Sequence, residues 1–426
     1  RHAKLLIHVE QALEQLSQAT STREADTALK VTQIKGKIDR DYKRLLNACN
    51  TDLKRRKNPA PVLVSIFMAQ RIEEMGTTLQ SMGDAVISAN MGHQLNAGRY
   101  RSLSATVEHL QGGRKKRSLS VKPLAQTRSG SAISGVANAK GNRNIAIIKD
   151  GKRRKLKQER AKVDSWNAIY PGLAPKILSY YKRQDSAALL IEHLPGQTFE
   201  QILLNGTPEL LDAALKALKK TLRSVWVRTH VKKSVPARFM AQLTDRMDAV
   251  YDIHPEFRET DVSINDVDIP SFDQLIAACG KWESSLSKPY TVRIHGDFNI
   301  DNIIYDADSD AIRFIDLHRS TDMDFVQDVS VFMVSNYRLQ ALDAEHRRRA
   351  HIVVARFHRF VRKFAQKVGD ETFEVRLALG LARSFSTSTR FVLDPAMARG
   401  MQNRARYLLE RILDANPKTR TKIKLP

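Results

Sequence analysis

One stretch of this chain constrains its fold more than any other. It reads Arg293-Ile294-His295-Gly296-Asp297-Phe298-Asn299-Ile300-Asp301-Asn302-Ile303-Ile304-Tyr305-Asp306, followed shortly by Ile312-Arg313-Phe314-Ile315-Asp316. Ile303–Tyr305 and Ile312–Ile315 are apolar strand candidates flanking the turn-rich Asp306-Ala307-Asp308-Ser309-Asp310. Paired symmetrically about Ser309, they predict a hairpin that sets Asn302 opposite Asp316. Facing residues of an antiparallel ladder lie about 4.5–5.5 Å apart at Cα, so an amide oxygen and a carboxylate meet at the hairpin's open end. These are hard oxygen ligands suited to Mg²⁺ that also holds nucleotide phosphates. Asp297, in the preceding loop, reaches the same mouth, where it can accept the proton of a substrate hydroxyl and orient that oxygen for in-line attack.

A second pair of charges lies upstream. Ile145-Ala146-Ile147-Ile148 predicts a strand ending at Lys149, and the helix after Gly151 carries Leu156, Glu159, Val163, Trp166 and Tyr170 on one stripe. A carboxylate on an apolar face needs a partner to stay ionised. Lys149 supplies that partner for Glu159 and can then hold the α- and β-phosphates of a nucleotide. Ser129-Gly130-Ser131 opens a run of small residues between the first two strands, whose backbone N–H groups suit a phosphate-covering turn.

Together these runs resemble the aminoglycoside and choline phosphotransferases, with their H-G-D-x-x-x-x-N motif and the I-D of the following strand. The resemblance spans about Ser120 to Asn416. It implies an α/β (α+β) protein-kinase-like two-lobe fold that uses ATP and Mg²⁺. Asp297 is then the catalytic base, and Asn302 and Asp316 are the metal ligands. The segment around Glu192, His193 and Leu194 is similar to the interlobe hinge whose backbone pairs with adenine. Asp324 and Asp328 match a downstream D-x-x-x-D that steadies the catalytic loop, and His295 is expected to buttress that loop without transferring protons. The final helices, with Phe357, Phe360, Phe364, Phe385 and Phe391, resemble the subdomain that shapes the acceptor pocket, although core packing is the commoner role for such residues.

Residues 1–110 read differently, as an all-α antiparallel helical bundle. Leu5, Leu6, Val9, Ala12, Leu13 and Leu16 form one stripe. Val31, Ile34, Ile38, Tyr42, Leu45 and Cys49 form a second, and Ile72, Met75, Leu79, Met82, Val86 and Asn90 a third. Gln70–Met75 and Ser81–Asn90 resemble the last helix of a PhoU-type repeat, with Gln80 where that family has a carboxylate one turn before Asp84. This makes the bundle the candidate docking element for a protein partner. The expected order is a bundle over 1–110, a basic linker over 111–127, a small β-rich nucleotide-binding lobe over 128–194, a helical catalytic and substrate lobe over 195–416, and a basic tail over 417–426. The absence of an initiating Met points to a stretch missing before Arg1.

Charge bears on partners. The formal net charge is +24, from 70 Lys+Arg against 46 Asp+Glu. Such a field attracts anions and opposes a polycationic acceptor, so the expected substrate is a neutral or anionic small molecule with a hydroxyl. Aromatics are 7% of residues and are not interleaved with the basic runs, so nucleic acid is not the expected partner. No apolar run is long enough for a membrane span, and the two cysteines, Cys49 and Cys279, carry no disulfide framework, which suits a reducing cytoplasm. The functional expectation is an ATP-dependent phosphotransferase acting on an alcohol group. The alternative is a catalytically silent nucleotide-binding regulator tied to phosphate signalling through the PhoU-like domain.

Overall fold

A computed structural model describes residues 2–22, 25–55, 58–91, 120–126, 132–137, 144–183, 186–258, 262–264, 267–286, 289–339 and 343–415. The chain divides into two compact units, Arg1–Lys157 with Lys176–His193, and Gln158–Pro175 with Leu194–Pro426.

In the first unit, α1 (His2–Thr22), α2 (Ala25–Leu53) and α3 (Ala60–Met91) pack as three antiparallel helices. Their core joins Leu5, Val9 and Leu16 of α1 to Val31, Ile38 and Leu45 of α2 and to Ala69, Ile72 and Leu79 of α3. The predicted stripe of α2 holds. Those of α1 and α3 need correction, because Leu6, Leu13, Met75 and Met82 are about half exposed. On α3 the buried line runs through Ile72, Gly76, Leu79, Gly83 and Ile87, one position beyond the methionines. Glycine accounts for this: a Cβ at Gly76 would stand 2.9 Å from Ile38 Cδ1, so the bare backbone lets α2 come close and turns the methionines outward. Lys35 is buried on α2, where Glu73 of α3 and Asp39 accept from its ammonium at 2.6 and 2.5 Å. Burial alone depresses that ammonium, but the two carboxylates outweigh it and its pKa is raised.

The same unit holds an antiparallel five-stranded sheet in the order β1-β2-β3-β5-β4. Its strands are β1 (Ser120–Gln126), β2 (Ala132–Ala137), β3 (Asn144–Lys152), β4 (Ile177–Arg183) and β5 (Ser186–Glu192). Residues 120–126 were expected in the linker and instead form the edge strand β1, paired along β2 from Ser120↔Ala137 to Gln126↔Ala132. Backbone pairing can recruit a segment whose side chains show no alternation. The strand at 145–148 likewise runs on to Lys152, so Lys149 lies mid-strand between Ile133 and Leu189. Leu156, Ala187, Leu189 and Ile191 form the apolar cluster against this sheet. The division between units falls inside α4 (Arg153–Ile169).

The second unit is mainly helical. After β6 (Gln197–Thr198) come α5 (Phe199–Asn205), α6 (Pro208–Arg228), α7 (Phe239–Tyr251), a ribbon of β7 (Val262–Ile264) and β8 (Val267–Ile269), and α8 (Phe272–Glu283). Next follow β9 (Thr291–Ile294), β10 (Ile303–Asp306), β11 (Ala311–Phe314) and β12 (Thr321–Asp324). The chain continues through α9 (Val326–Tyr337), α10 (Ala344–Lys367), α11 (Phe373–Ser388) and α12 (Pro395–Asp414). Local signals set several starts: Thr198 and Gln201 form a capping box on α5, and Thr207 caps α6 with Pro208 in its first turn. An aromatic core locks the helices, with Trp226 against Phe325, Phe360 and Phe364, and Phe332 against Phe199, Phe298 and Phe357. Of the late phenylalanines, Phe357, Phe360, Phe364 and Phe385 are buried and only Phe391 is exposed. Among the described residues, no helix is long and apolar enough to cross a membrane.

Candidate active site

The site is built on two small antiparallel pieces of the second unit. β10 pairs with β11 and, on its other edge, with β6, while β9 pairs with β12. Gly196 makes the β6 approach possible: its φ is +105°, and a Cβ there would fall 2.2 Å from the Tyr305 carbonyl oxygen. Between β9 and β10 the chain turns through His295-Gly296-Asp297 and a single 3₁₀ turn at Ile300–Asn302.

The hairpin register departs from expectation by one residue. The pairs run from Ile303↔Phe314 to Asp306↔Ala311, so the connection holds four residues and its centre falls between Asp308 and Ser309. Asp310, with φ +46°, closes the turn. The symmetric pairing about Ser309 is therefore corrected: Asn302 stands opposite Ile315, whose N–H donates to the Asn302 carbonyl at 3.1 Å. A one-residue slip sends side chains to the other face. Asp316 breaks the alternation, however, because it adopts the left-handed conformation, φ 61° and ψ 49°, and so leaves the strand direction altogether.

Hydrogen bonds tie the loop to that hairpin. Asn302 Nδ2 donates to the Asp297 carbonyl at 2.8 Å, which aims the other end of its amide, an oxygen, away from the loop backbone. Asn299 Nδ2 donates to Asp297 Oδ1 at 2.8 Å, and Arg319 Nη1 lies 3.5 Å from Oδ2. Asp297 keeps about a quarter of its side chain exposed, and Asp316 a similar share. The Asp316 carboxylate meets His318 Nδ1 at 3.2 Å.

His295 sits almost wholly buried behind this loop. Its Nδ1 accepts from the Asp297 N–H at 3.3 Å, while Nε2 donates to the Ile315 carbonyl at 2.9 Å. Burial lowers its pKa, so the ring is neutral and its two nitrogens staple the loop to the hairpin. Asp328 of α9 completes the frame by accepting the N–H of His295 at 2.7 Å and that of Gly296 at 2.9 Å. Burial pushes its carboxyl up to about 7, against those two donors and with the help of the Asp297 charge. Gly296 has φ +83°, and a Cβ there would lie 2.4 Å from the Arg319 carbonyl oxygen. The buried Asp324 is held differently, paired with Arg376, which also pairs with Asp370.

The other expected site residues fall as follows. Lys149 is buried on β3 in the first unit, and Glu159 is buried on the part of α4 assigned to the second. Glu192 closes β5, with its N–H donating to the Lys176 carbonyl and its carboxylate accepting the Lys176 N–H, so that donor is already engaged. His193 follows it, and Leu194 is buried at the start of the second unit's long segment. Ser129, Gly130 and Ser131 lie outside the described residues.

Three features went unnoticed in the sequence. Asn299 orients the Asp297 carboxylate, and its place inside the motif was the available signal. Arg319 carried none, because its approach to Asp297 depends on the turn after Asp316. Arg246 of α7 and Arg383 of α11 also face this region. Burial lowers the pKa of each, Arg383 to about 9, and Arg319's positive charge adds to the lowering while Asp297 opposes it.

The profile of the phosphotransferase enzyme family, APH, matches residues 153–372. No curated protein matches the chain. Among solved structures, an aminoglycoside-3'-phosphotransferase of type VIII is similar at 16% identity and a TM-score of 0.42, over 67% of this chain and 99% of that one. Plasmodium vivax ethanolamine kinase is similar at 14% identity and a TM-score of 0.41, over 82% and 95%. Choline kinase from Cryptosporidium parvum is similar at 12% identity and a TM-score of 0.39, over 70% and 90%.

Proposed function

The chain belongs to the phosphotransferase enzyme family, whose profile covers residues 153–372, and from that premise we propose that it transfers the γ-phosphoryl group of ATP to a hydroxyl of a small molecule. The observation that carries this reading is the hydrogen-bonded cluster of Asp297, Asn299 and Asn302, with Asp316 at the adjoining end of the hairpin. Asp297 is partly exposed and held on one oxygen by Asn299, which leaves the carboxylate able to take a proton from an incoming hydroxyl. The attacking oxygen gains nucleophilicity as its proton moves to Asp297, and the loop's fixed geometry supplies most of the remaining advantage.

Asn302 and Asp316 are the residues that would hold Mg²⁺, and they fit a hard cation: both offer oxygen, and the amide nitrogen of Asn302 is already occupied with the Asp297 carbonyl. Bound there, the cation neutralises charge on the phosphates during transfer. Lys149 serves as the phosphate clamp with Glu159 as its counter-charge. Both are buried, and a buried ammonium and a buried carboxylate each need an opposite charge. The backbone around Glu192, His193 and Leu194 pairs with adenine.

The acceptor is neutral or anionic. Arg319, Arg246 and Arg383 crowd positive charge around Asp297, and a cationic acceptor would add to that crowding. Incubating the protein with Mg-ATP and a panel of hydroxyl-bearing metabolites, with phosphoryl transfer followed by mass spectrometry, tests the reading. Thermal stabilisation by Mg-ATP with a phosphorylated product is expected. Neither stabilisation nor product across neutral, anionic and cationic acceptors would defeat it.

A further inference from the structure

A second feature of the helical unit lies outside the catalytic loop and hairpin. Between α6 and α10 the surface forms a groove of about 520 Å³, within the size range of small-molecule sites. α6 contributes Lys216, Lys219, Lys220 and Arg223, which helical spacing places along one side. From α10 come Arg356, Arg359 and Lys363, again at helical spacing. Asp212 is the single acid in the lining, and it is already paired with Arg356.

Such a concentration of like charge costs stability unless something matches it. At Lys219 burial lowers the pKa; Asp212 opposes that shift, and Arg356 adds a smaller lowering. One carboxylate or one phosphate would leave most of the seven cations unmatched. On each helix the basic residues span seven positions, about 10 Å at a rise of 1.5 Å per residue, so the charged floor is longer than a single phosphate. Lysine offers a point charge and arginine a bidentate fork, and both suit phosphate oxygens. The one aromatic in the lining, Phe360, is buried, with the Arg223 guanidinium 5.7 Å from its ring centre. No ring is therefore presented for base stacking, which disfavours a single-stranded nucleic acid.

We propose that the groove between α6 and α10 binds a compact oligophosphate, a ligand carrying three or more closely spaced phosphate groups. The site does not depend on the phosphotransferase reading, because none of its lining residues belongs to the loop or hairpin around Asp297. An inorganic phosphate chain and a polyphosphorylated small molecule share this chemistry.

Calorimetric titration of the full chain with inorganic tripolyphosphate, and separately with inositol hexakisphosphate, tests it without ATP present. At near-physiological salt at least one of the two is expected to bind saturably at one site, and which one binds distinguishes the chain-like from the ring-borne source. The variant K216Q/K219Q/K363Q is expected to weaken that binding at least about tenfold, a modest loss for three charge-assisted contacts. The control K232Q/K233Q/R348Q removes the same number of charges from exposed residues outside the groove and is expected to change affinity by less than about twofold. If the groove variant melts differently from the parent, Arg359→Gln alone replaces it, with the same direction expected. Equal loss in both triple variants, titration without saturation, or displacement of tripolyphosphate by a short single-stranded oligonucleotide at equal phosphate concentration would each overturn the proposal.

Discussion

Replacing Asp328 by asparagine keeps the side chain's shape while removing its charge and half of its accepting capacity. In the parent, burial pushes this carboxyl up to about 7 from an ordinary value of 3.8, although the His295 and Gly296 N–H groups pull the other way. A folded-state pKa raised in this way means that the folded chain binds the proton more tightly than the unfolded chain. The group's favourable contribution is therefore fully present below about pH 4 and lost as pH rises through about 7. At about 1.4 kcal/mol per pH unit the loss is on the order of 4 kcal/mol. Asparagine does not titrate, so that slope disappears from the variant. Its amide oxygen can accept one of the two N–H groups but its NH₂ cannot accept the other, at a cost of about 1–3 kcal/mol independent of pH. The variant should thus be the less stable protein near pH 5, and the gap should close or reverse by about pH 8. Urea unfolding of both proteins across this range reads the difference directly. Phosphoryl transfer should still fall in the variant at every pH, because the loop carrying Asp297 has lost one of its two hydrogen bonds to residue 328. Parallel stability curves across the range would refute the reasoning, since Asp328 would then ionise as easily as an exposed carboxylate.

Asp297→Asn should reduce phosphoryl transfer by about 10²–10⁴-fold, the span expected for losing a general base, while a thermal melt stays near that of the parent. Gly296→Ala forces a Cβ to 2.4 Å from the Arg319 carbonyl at φ +83°, and should lower stability by about 1–3 kcal/mol or more, read as a lower melting temperature. Arg376→Ala leaves Asp324 and Asp370 buried without their shared partner and should cost about 3–5 kcal/mol in denaturant unfolding. Arg376→Lys should recover little of that loss, because a single ammonium cannot reproduce a fork that engages two carboxylates.

Much of the site could be read from residue order. Asp297 and Asn302 lie five residues apart, and the hydrogen bond that joins them is a local contact. The helix caps at Thr198 and Thr207 are local in the same sense, since a cap acts on the turn beside it. The hairpin register was not. It depends on a four-residue connection closed by Asp310 in a left-handed conformation, and a centre shifted by half a residue exchanges the partner of Asn302. On α3 the periodicity identified a buried face but placed it one position off, because two glycines carry no hydrophobic signal while permitting the closest contact. The strand at 120–126 shows the same gap, as pairing with β2 and not its own pattern makes it a strand.

Sequence by itself identified the phosphotransferase family, because its motif residues sit at short spacing along the chain. Tertiary structure alone decided how the residues of that motif are held. Arg319 turns back onto Asp297, and Arg376 of α11 pairs with Asp324 of β12. The facing rows of α6 and α10 that make one basic groove are separated by more than a hundred residues. Contacts of that kind arise only when packing has brought distant segments together, and neither the period nor the spacing of residues along the chain encodes which distant partner a buried charge will meet.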